Sequence, residues 1–220
     1  MLTGRWPSPS GPDEYALLCD RGRERRLLVV NALFDEGNKL RHFAADLMRR
    51  LDEADIDSSL PDLPGTNESL QPLEEQTLDS WRNAMRAAAS DFAATHVLAF
   101  RGAALVSPDD LPNIHYAPAS GATLLRSMLR AQVMTSRETG RPQSRDDLLE
   151  QGRSRGLRLA GYQLGPAMIA DLESAVARQD DAVEIAQGDI GGSALWLRAE
   201  PDHDPAQAER LAALVASRLA

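Results

Sequence analysis

The sequence is short of most groups that announce a chemistry. Cys19 is its only cysteine, so no intramolecular disulfide can form, which agrees with a reducing compartment. No apolar run approaches the roughly 20 residues that a membrane helix requires, and a transmembrane helix is excluded. The N-terminal stretch Met1-Leu2-Thr3-Gly4-Arg5-Trp6-Pro7 has no signal-peptide core, so the expected location is the cytoplasm. There is no basic excess either. The net charge is -9, which argues against a nucleic-acid partner, since phosphate binding needs a basic surface. The arginines clustered from Arg21 to Arg26 and from Arg126 to Arg158 read as solvated faces. No His/Cys/Asp group stands at metal-ligand spacing, and no glycine-rich phosphate loop follows a strand, so no metal or cofactor is expected. Internal repeats are absent.

What is present is a regular alternation. With 220 residues, 43% hydrophobic and 26% charged, the chain suits one α/β domain or two small ones. Residues 1–13, rich in Pro, Gly and Ser, read as a loose leader to a single domain over 14–220. Residues 14–20 are a first strand, and the unbroken Leu/Val run of 26–33 is a strand buried on both faces. Phe43, Leu47 and Leu51 repeat every four residues, a helix after Asn38. Residues 56–60 form a short strand, and Leu78, Trp81, Met85, Ala88 and Phe92 mark one stripe of a second helix. Strands follow at 97–100 and 113–117. Three helical patterns, 124–134, 146–151 and 167–177, come next, with a strand-like piece at 157–162 between the last two. Val183-Glu184-Ile185 and Ala194-Leu195-Trp196-Leu197 are the last strand candidates, and Pro205 opens a final helix. The order is that of an α/β-hydrolase fold: a mostly parallel central sheet flanked by helices, a helical lid insertion at about 120–178, and an abbreviated C-terminal part.

In that fold a nucleophile stands on a sharp strand-to-helix turn, usually within G-x-S-x-G. Here the turn reads Ala99-Phe100-Arg101-Gly102-Ala103. Arginine cannot be a nucleophile, because its guanidinium stays protonated. Near a helix N-terminus it offers a fixed positive charge, suited to gripping a carboxylate or phosphate. Equally, it pairs permanently with Asp62, Asp35 or Glu36 and locks the cleft. Phe34, Asp35, Glu36, Asn38 and Lys39 form the loop that supplies an oxyanion-hole N–H in active relatives, and they are candidate pocket residues, although Asp35 and Glu36 equally suit a helix start. Of the histidines, His42 falls in a helix and His96 at a strand start. His115 is either a half-buried strand histidine or a base near a carboxyl-end loop. His203 stands where a hydrolase histidine would in chain order, or is simply an exposed loop residue. Ser120 suits a helix N-cap, with a displaced nucleophile as the alternative. No complete Ser-His-Asp triad assembles.

Several stretches together resemble the exosortase A system-associated hydrolases, the second of their two types. They are Phe34-Asp35-Glu36-Gly37-Asn38-Lys39, Asp62-Leu63-Pro64-Gly65-Thr66-Asn67-Glu68-Ser69, Thr77-Leu78-Asp79-Ser80-Trp81-Arg82, Arg101 at the elbow, Pro118-Ala119-Ser120-Gly121 and Gly161-Tyr162-Gln163-Leu164. The likeness spans about residues 26 to 175, with a weaker echo at Leu195-Trp196. It implies an α/β-hydrolase fold, a bacterial exosortase and exopolysaccharide context, and an arginine elbow as a group trait. Gly102 and Ala103 depart from that family's larger apolar residue followed by glycine.

Three functions fit these residues. The first is an impaired hydrolase homologue that binds an anionic or acyl ligand, or a partner, with Arg101 as anchor and Phe34, Glu36, Asn38 and Lys39 around it. The second is an esterase or thioesterase with an unorthodox set, His115 or His203 with Asp62. The third is an interaction module whose lid forms a homodimer face.

Overall fold

The computed structural model describes residues 1–140, 142–178 and 182–219. The chain opens with two antiparallel strands, β1 (Leu2–Trp6) and β2 (Glu14–Cys19), with Leu2 opposite Leu18 and Trp6 opposite Glu14. Residues 2–6 are therefore an edge strand, not the loose leader that their flanking prolines and glycines suggest. Trp6 explains the difference: its indole is fully buried and anchors the strand against the core.

Strand β3 (Arg26–Val30) leads to helix α1 (Asp35–Glu53), then β4 (Asp57–Pro61), helix α2 (Leu78–Asp91) and β5 (His96–Phe100). A five-residue 3₁₀ turn, Arg101–Leu105, and a loop precede β6 (Asn113–Tyr116). The insertion follows as α3 (Gly121–Glu138), α4 (Arg145–Arg155), the hairpin β7 (Leu157–Leu159) and β8 (Tyr162–Leu164), and α5 (Pro166–Ser174). The hairpin turns through Ala160 and Gly161, both at positive φ (48° and 90°), as tight two-residue turns require. Last come β9 (Val183–Ile185), the short helix α6 (Gln187–Ile190) and α7 (Pro205–Arg218). The expected strand at 194–197 is instead a 3₁₀ turn over Leu195–Leu197. Gly191 and Gly192, at φ 65° and 74°, turn the chain away from the sheet edge before those residues reach it.

The sheet order is β1-β2-β4-β3-β5-β6-β9. β4, β3, β5, β6 and β9 run parallel, and β1 and β2 add an antiparallel edge. Alternate residues of the central strands feed two apolar layers. Val29, Leu98, Phe100 and Tyr116 face α1 and α7, whereas Leu28, Val30, Val97 and Ala99 face α2 and the insertion. Burial on both faces is why these strands read as continuous apolar runs. A capping box starts α2: Ser80 N–H donates to Thr77 Oγ1 at 3.0 Å, and Thr77 N–H donates to Ser80 Oγ at 3.0 Å. Among the described residues no helix is long and apolar enough to cross a membrane.

If Trp6 makes the first strand part of the core, Trp6→Ala should lower the unfolding free energy by about 3–5 kcal/mol. Leu2→Ala, on the same strand but exposed, should stay within about 0.5 kcal/mol. Urea titration of the two variants checks this, and equal, small effects would return residues 1–13 to the status of a leader.

Candidate functional site

In a parallel sheet the loops beyond the carboxyl ends of the strands gather over one edge. Here that edge presents the first residue after each strand: Asn31 after β3, Asp62 after β4, Arg101 after β5 and Ala117 after β6. Three residues at this edge hold sterically costly backbone, Ala117 (φ 46°) among them. Arg101 has φ 55°, and Phe34, preceding α1, has φ 57° with ψ -135°. Non-glycine residues in such regions cost about 1–3 kcal/mol each and persist only when their surroundings enforce them. The strained strand-to-turn corner at Arg101 is thus a nucleophile elbow in its backbone, with an arginine on it. Gly102 must be small, because a Cβ there would lie 2.4 Å from Leu124 Cδ1 of α3.

Each of the three guanidinium nitrogens of Arg101 makes a hydrogen bond. Its Nε and Nη2 donate to the two carboxylate oxygens of Glu36 at 3.1 and 3.3 Å, and Nη1 donates to the Ala117 carbonyl at 2.5 Å. The guanidinium lies 4.1 Å from the ring centroid of Trp196, a cation–π contact. Burial lifts the Glu36 carboxyl above the ordinary glutamate range, although Arg101 pulls it the other way. Of the three pairings expected for Arg101, only that with Glu36 forms; Asp62 pairs with Arg41 at 2.9 Å and Asp35 with Lys39 at 2.8 Å. The helix expected after the elbow is a 3₁₀ turn of five residues, ended by the loop that carries Pro108. Too few peptide dipoles align there to make the anion site expected of a helix start.

The expected pocket loop is also partly helix: α1 begins at Asp35, so Glu36, Asn38 and Lys39 sit in its first turns. Phe34 and Asn38 line a cleft of about 250 Å³, together with Asn31, Arg41, Asp62 and Tyr162. Arg101, Glu36 and Lys39 do not line it. Asp62 is 3% exposed. Its Oδ1 accepts from Arg41 and from Asn67 Nδ2 at 2.7 Å. Its Oδ2 is buried and, among the described residues, has no hydrogen-bond partner; the same holds for Asn31 Oδ1. The rings of Trp81 and Tyr162 flank Phe34 at centroid distances of 5.7 and 5.6 Å. Tyr162 stands at the hairpin of the insertion and accepts from Asn38 Nδ2 at 2.8 Å, which ties the insertion to α1 across the cleft.

The remaining candidates lie elsewhere. His203 Nε2 stands 3.5 Å from Asp46, and its ring stacks on His42 at 4.2 Å. Asp46 is ten residues beyond Glu36 on α1, roughly 15 Å along the helix axis. His115 lies on β6 and lines a different cavity. Neither histidine bonds to Asp62. Ser120 caps α3, accepting from Thr123 N–H at 3.3 Å. Among the described residues no three His, Cys, Asp or Glu side chains are grouped to hold a metal ion. The residues that sequence reasoning missed are Asn31, which lay inside the expected strand 26–33 and reaches the edge only because β3 ends at Val30, and Trp196, signalled by the faint Leu195-Trp196 likeness.

No protein-family model matches the sequence, and no curated protein matches it. Solved structures do. A provisionally named hydrolase from Agrobacterium vitis S4 aligns with TM-score 0.60 at 11% identity, over 100% of this chain and 98% of that one. Est1E from Butyrivibrio proteoclasticus, determined with ferulic acid bound, aligns with TM-score 0.52 at 14% identity, over 77% of this chain and 70% of its own. Alpha/beta hydrolase domain-containing protein 10 from mouse aligns with TM-score 0.51 at 14% identity, over 79% and 70%. At such identities the likeness establishes the architecture alone: the chain has the α/β-hydrolase fold.

Removing the elbow guanidinium should strand the Glu36 carboxylate. Arg101→Ala is expected to destabilise by about 2 kcal/mol at pH 8, less than the roughly 3–5 kcal/mol for a fully buried pair because both side chains keep some water contact. With its folded pKa raised, Glu36 binds more protons folded than unfolded, so stability falls as pH rises from the ordinary value of 4.5 toward the folded one. The loss in Arg101→Ala should accordingly shrink at pH 5, and Arg101→Ala/Glu36→Gln should recover most of it at both pH values. Urea unfolding at the two pH values measures this; a pH-independent loss that the double variant leaves unrelieved would show that the pair is not its source.

Proposed function

We propose that this chain is a non-hydrolytic member of the α/β-hydrolase fold that holds a small, hydroxyl-rich ligand in the 250 Å³ cleft. The observation that carries the reading is the pair of orphaned acceptors, Asp62 Oδ2 and Asn31 Oδ1. A buried acceptor without a donor costs about 1–3 kcal/mol, which a ligand O–H or N–H would recover on binding. Phe34, Trp81 and Tyr162 supply apolar ring surface beside these acceptors, the usual composition of a small-molecule site. The ligand's chemistry therefore differs from the anion that an arginine elbow suggests, because the Arg101 nitrogens are already taken.

The absence of turnover follows from the same geometry. A serine-type reaction needs a nucleophile, a histidine and an acid in contact. Here the elbow carries a locked guanidinium, and His203 sits beside Asp46 on the flank of α1. The resemblance of the motif set to the exosortase A system-associated hydrolases supports a role in bacterial surface-polysaccharide systems. A hydroxyl-rich ligand is consistent with that setting. The α3–α5 insertion, with Tyr162 at the cleft, would act as its lid.

Two measurements test this. Saturation-transfer NMR with a mixture of glucose, galactose, N-acetylglucosamine and lactose should show transfer to at least one sugar. Asp62→Asn, which replaces the orphaned acceptor with a donor of the same shape, should abolish it. In parallel, short and long acyl p-nitrophenyl esters and acyl-thioesters should show no turnover above the buffer rate, in the natural chain or in Arg101→Ser. Turnover that Asp62→Asn removes would overturn the non-hydrolytic reading in favour of water activated by Asp62. Sugar transfer unchanged in Asp62→Asn would remove the cleft from consideration.

A further inference from the structure

A second cavity, of about 340 Å³, opens on the α2 side of the sheet. Its walls come from α2, from the loop after the elbow turn, from β6 and from the segment after α5. It shares no lining residue with the Asp62 cleft, although Trp81 and Arg82, adjacent on α2, face one each. Its volume lies within the range of small-ligand pockets, roughly 300–1,000 Å³.

Its charge is unlike that of the chain as a whole. Three guanidiniums, those of Arg82, Arg86 and Arg178, line it, and among the described residues Asp109 is the one carboxylate that does so. Asp109 is shared: Arg86 Nη2 donates to its Oδ1 at 3.0 Å and Arg178 Nη1 to its Oδ2 at 2.6 Å. One carboxylate thus serves two cations. That pairing, through the Arg86 hydrogen bond first, holds Asp109 below the ordinary carboxylate range, so it stays a fixed anion. Arg82 is turned toward the Leu105 carbonyl, to which Nε donates at 2.9 Å, and toward Asp79 on its own helix. Among the described residues the Nε of Arg86 and the Nε and Nη2 of Arg178 have no partner. In a chain of net charge -9, this is a local surplus of unsatisfied cationic donors.

The inner wall carries a second mark. His115 is 3% exposed, lines the cavity, and its buried Nε2 has no partner among the described residues. Asn113, two residues earlier on β6, donates its amide to the Pro108 and Leu111 carbonyls at 2.7 and 2.8 Å. That fixes the amide's orientation, and its Oδ1 is left buried without a partner. Buried polar groups are normally satisfied. Two of them on one strand, beside a cavity whose mouth holds spare guanidinium donors, describe a ligand with a charged end and a polar end.

We propose that this cavity is a separate binding site for a small oxyanion ligand, a phosphomonoester or carboxylate carrying a hydroxyl group. The oxyanion sits between Arg86 and Arg178, beside Asp109, where charge-assisted hydrogen bonds are strong. The hydroxyl reaches inward to Asn113 Oδ1 and His115 Nε2. Asp109 sets the spacing of the two arginines, so the site is preorganised for its anion.

Isothermal titration of the full chain at low ionic strength tests this with glycerol 3-phosphate, inorganic phosphate and malate as probes. Glycerol 3-phosphate or malate should bind, and Arg86→Ala/Arg178→Ala should weaken binding about tenfold or more. Both arginines are surface-exposed in part, and an unchanged Tm would confirm that the double variant folds. Arg126→Ala/Arg130→Ala, on the exposed face of α3, should leave affinity unchanged, as should Asp62→Asn. Phosphomonoester binding without malate binding, or the reverse, identifies the anion and supports the site. Absence of binding by all three probes at millimolar concentration would overturn the proposal. Equal weakening by the α3 variant would too, as it would reveal non-specific charge attraction. Loss in Asp62→Asn would place the probe in the other cleft and equally sink the second site.

Discussion

The contact on which the carboxyl edge depends is the bidentate pair of Arg101 and Glu36. It joins the elbow after β5 to the first turn of α1, and the third guanidinium nitrogen fastens the end of β6 through the Ala117 carbonyl. Trp196 closes the far side, itself packed edge-on to Tyr116 at 5.9 Å. One side chain therefore ties two strand ends, the first turn of α1 and the C-terminal segment together. The corner at Arg101 is a structural junction, and the strain at φ 55° is held by bonds to the side chain that the strain presents.

This junction divides the edge. On one side are Arg101, Glu36 and Trp196, charged but mutually satisfied. On the other is the cleft of Asn31, Phe34, Asp62 and Tyr162, with acceptors left over among the described residues. The fold's usual site is thus a poor guide to where this molecule keeps its unspent hydrogen-bonding capacity. Burial with incomplete satisfaction is the more direct marker.

Much of this was legible in the sequence. The Leu/Val run of β3, the four-residue spacing of Phe43, Leu47 and Leu51, and the small-residue turn around Arg101 each encode a period or a steric demand that a reader can apply locally. What was hidden depends on distant partners. Helix α1 starts at Asp35 behind Phe34, whose φ of 57° and lack of a capping side chain leave only the acidic pair Asp35 and Glu36 as a start signal, one that a pocket loop would equally explain. Trp6 looks like part of a proline- and glycine-rich leader until β2 is there to pair with it. Leu195-Trp196-Leu197 has strand-like composition, but the positive-φ glycines upstream decide its path. Glu36 as the partner of Arg101 was one of three equivalent carboxylates, and only the direction of the α1 axis separates them.

Trp196 follows Arg101 by 95 residues, and that distance has a consequence for biosynthesis. Glu36, Arg101 and Ala117 all leave the ribosome before the ring that covers them. At about 5–20 residues per second, the guanidinium waits some 5–20 seconds for its aromatic lid. During that interval the nascent chain has its central strands but an unsealed carboxyl edge, with α7 still missing from the α1 layer. The segment from Leu195 to Arg218 therefore closes the carboxyl edge at the elbow and the α1 side of the sheet, and a truncation ahead of Trp196 would expose both.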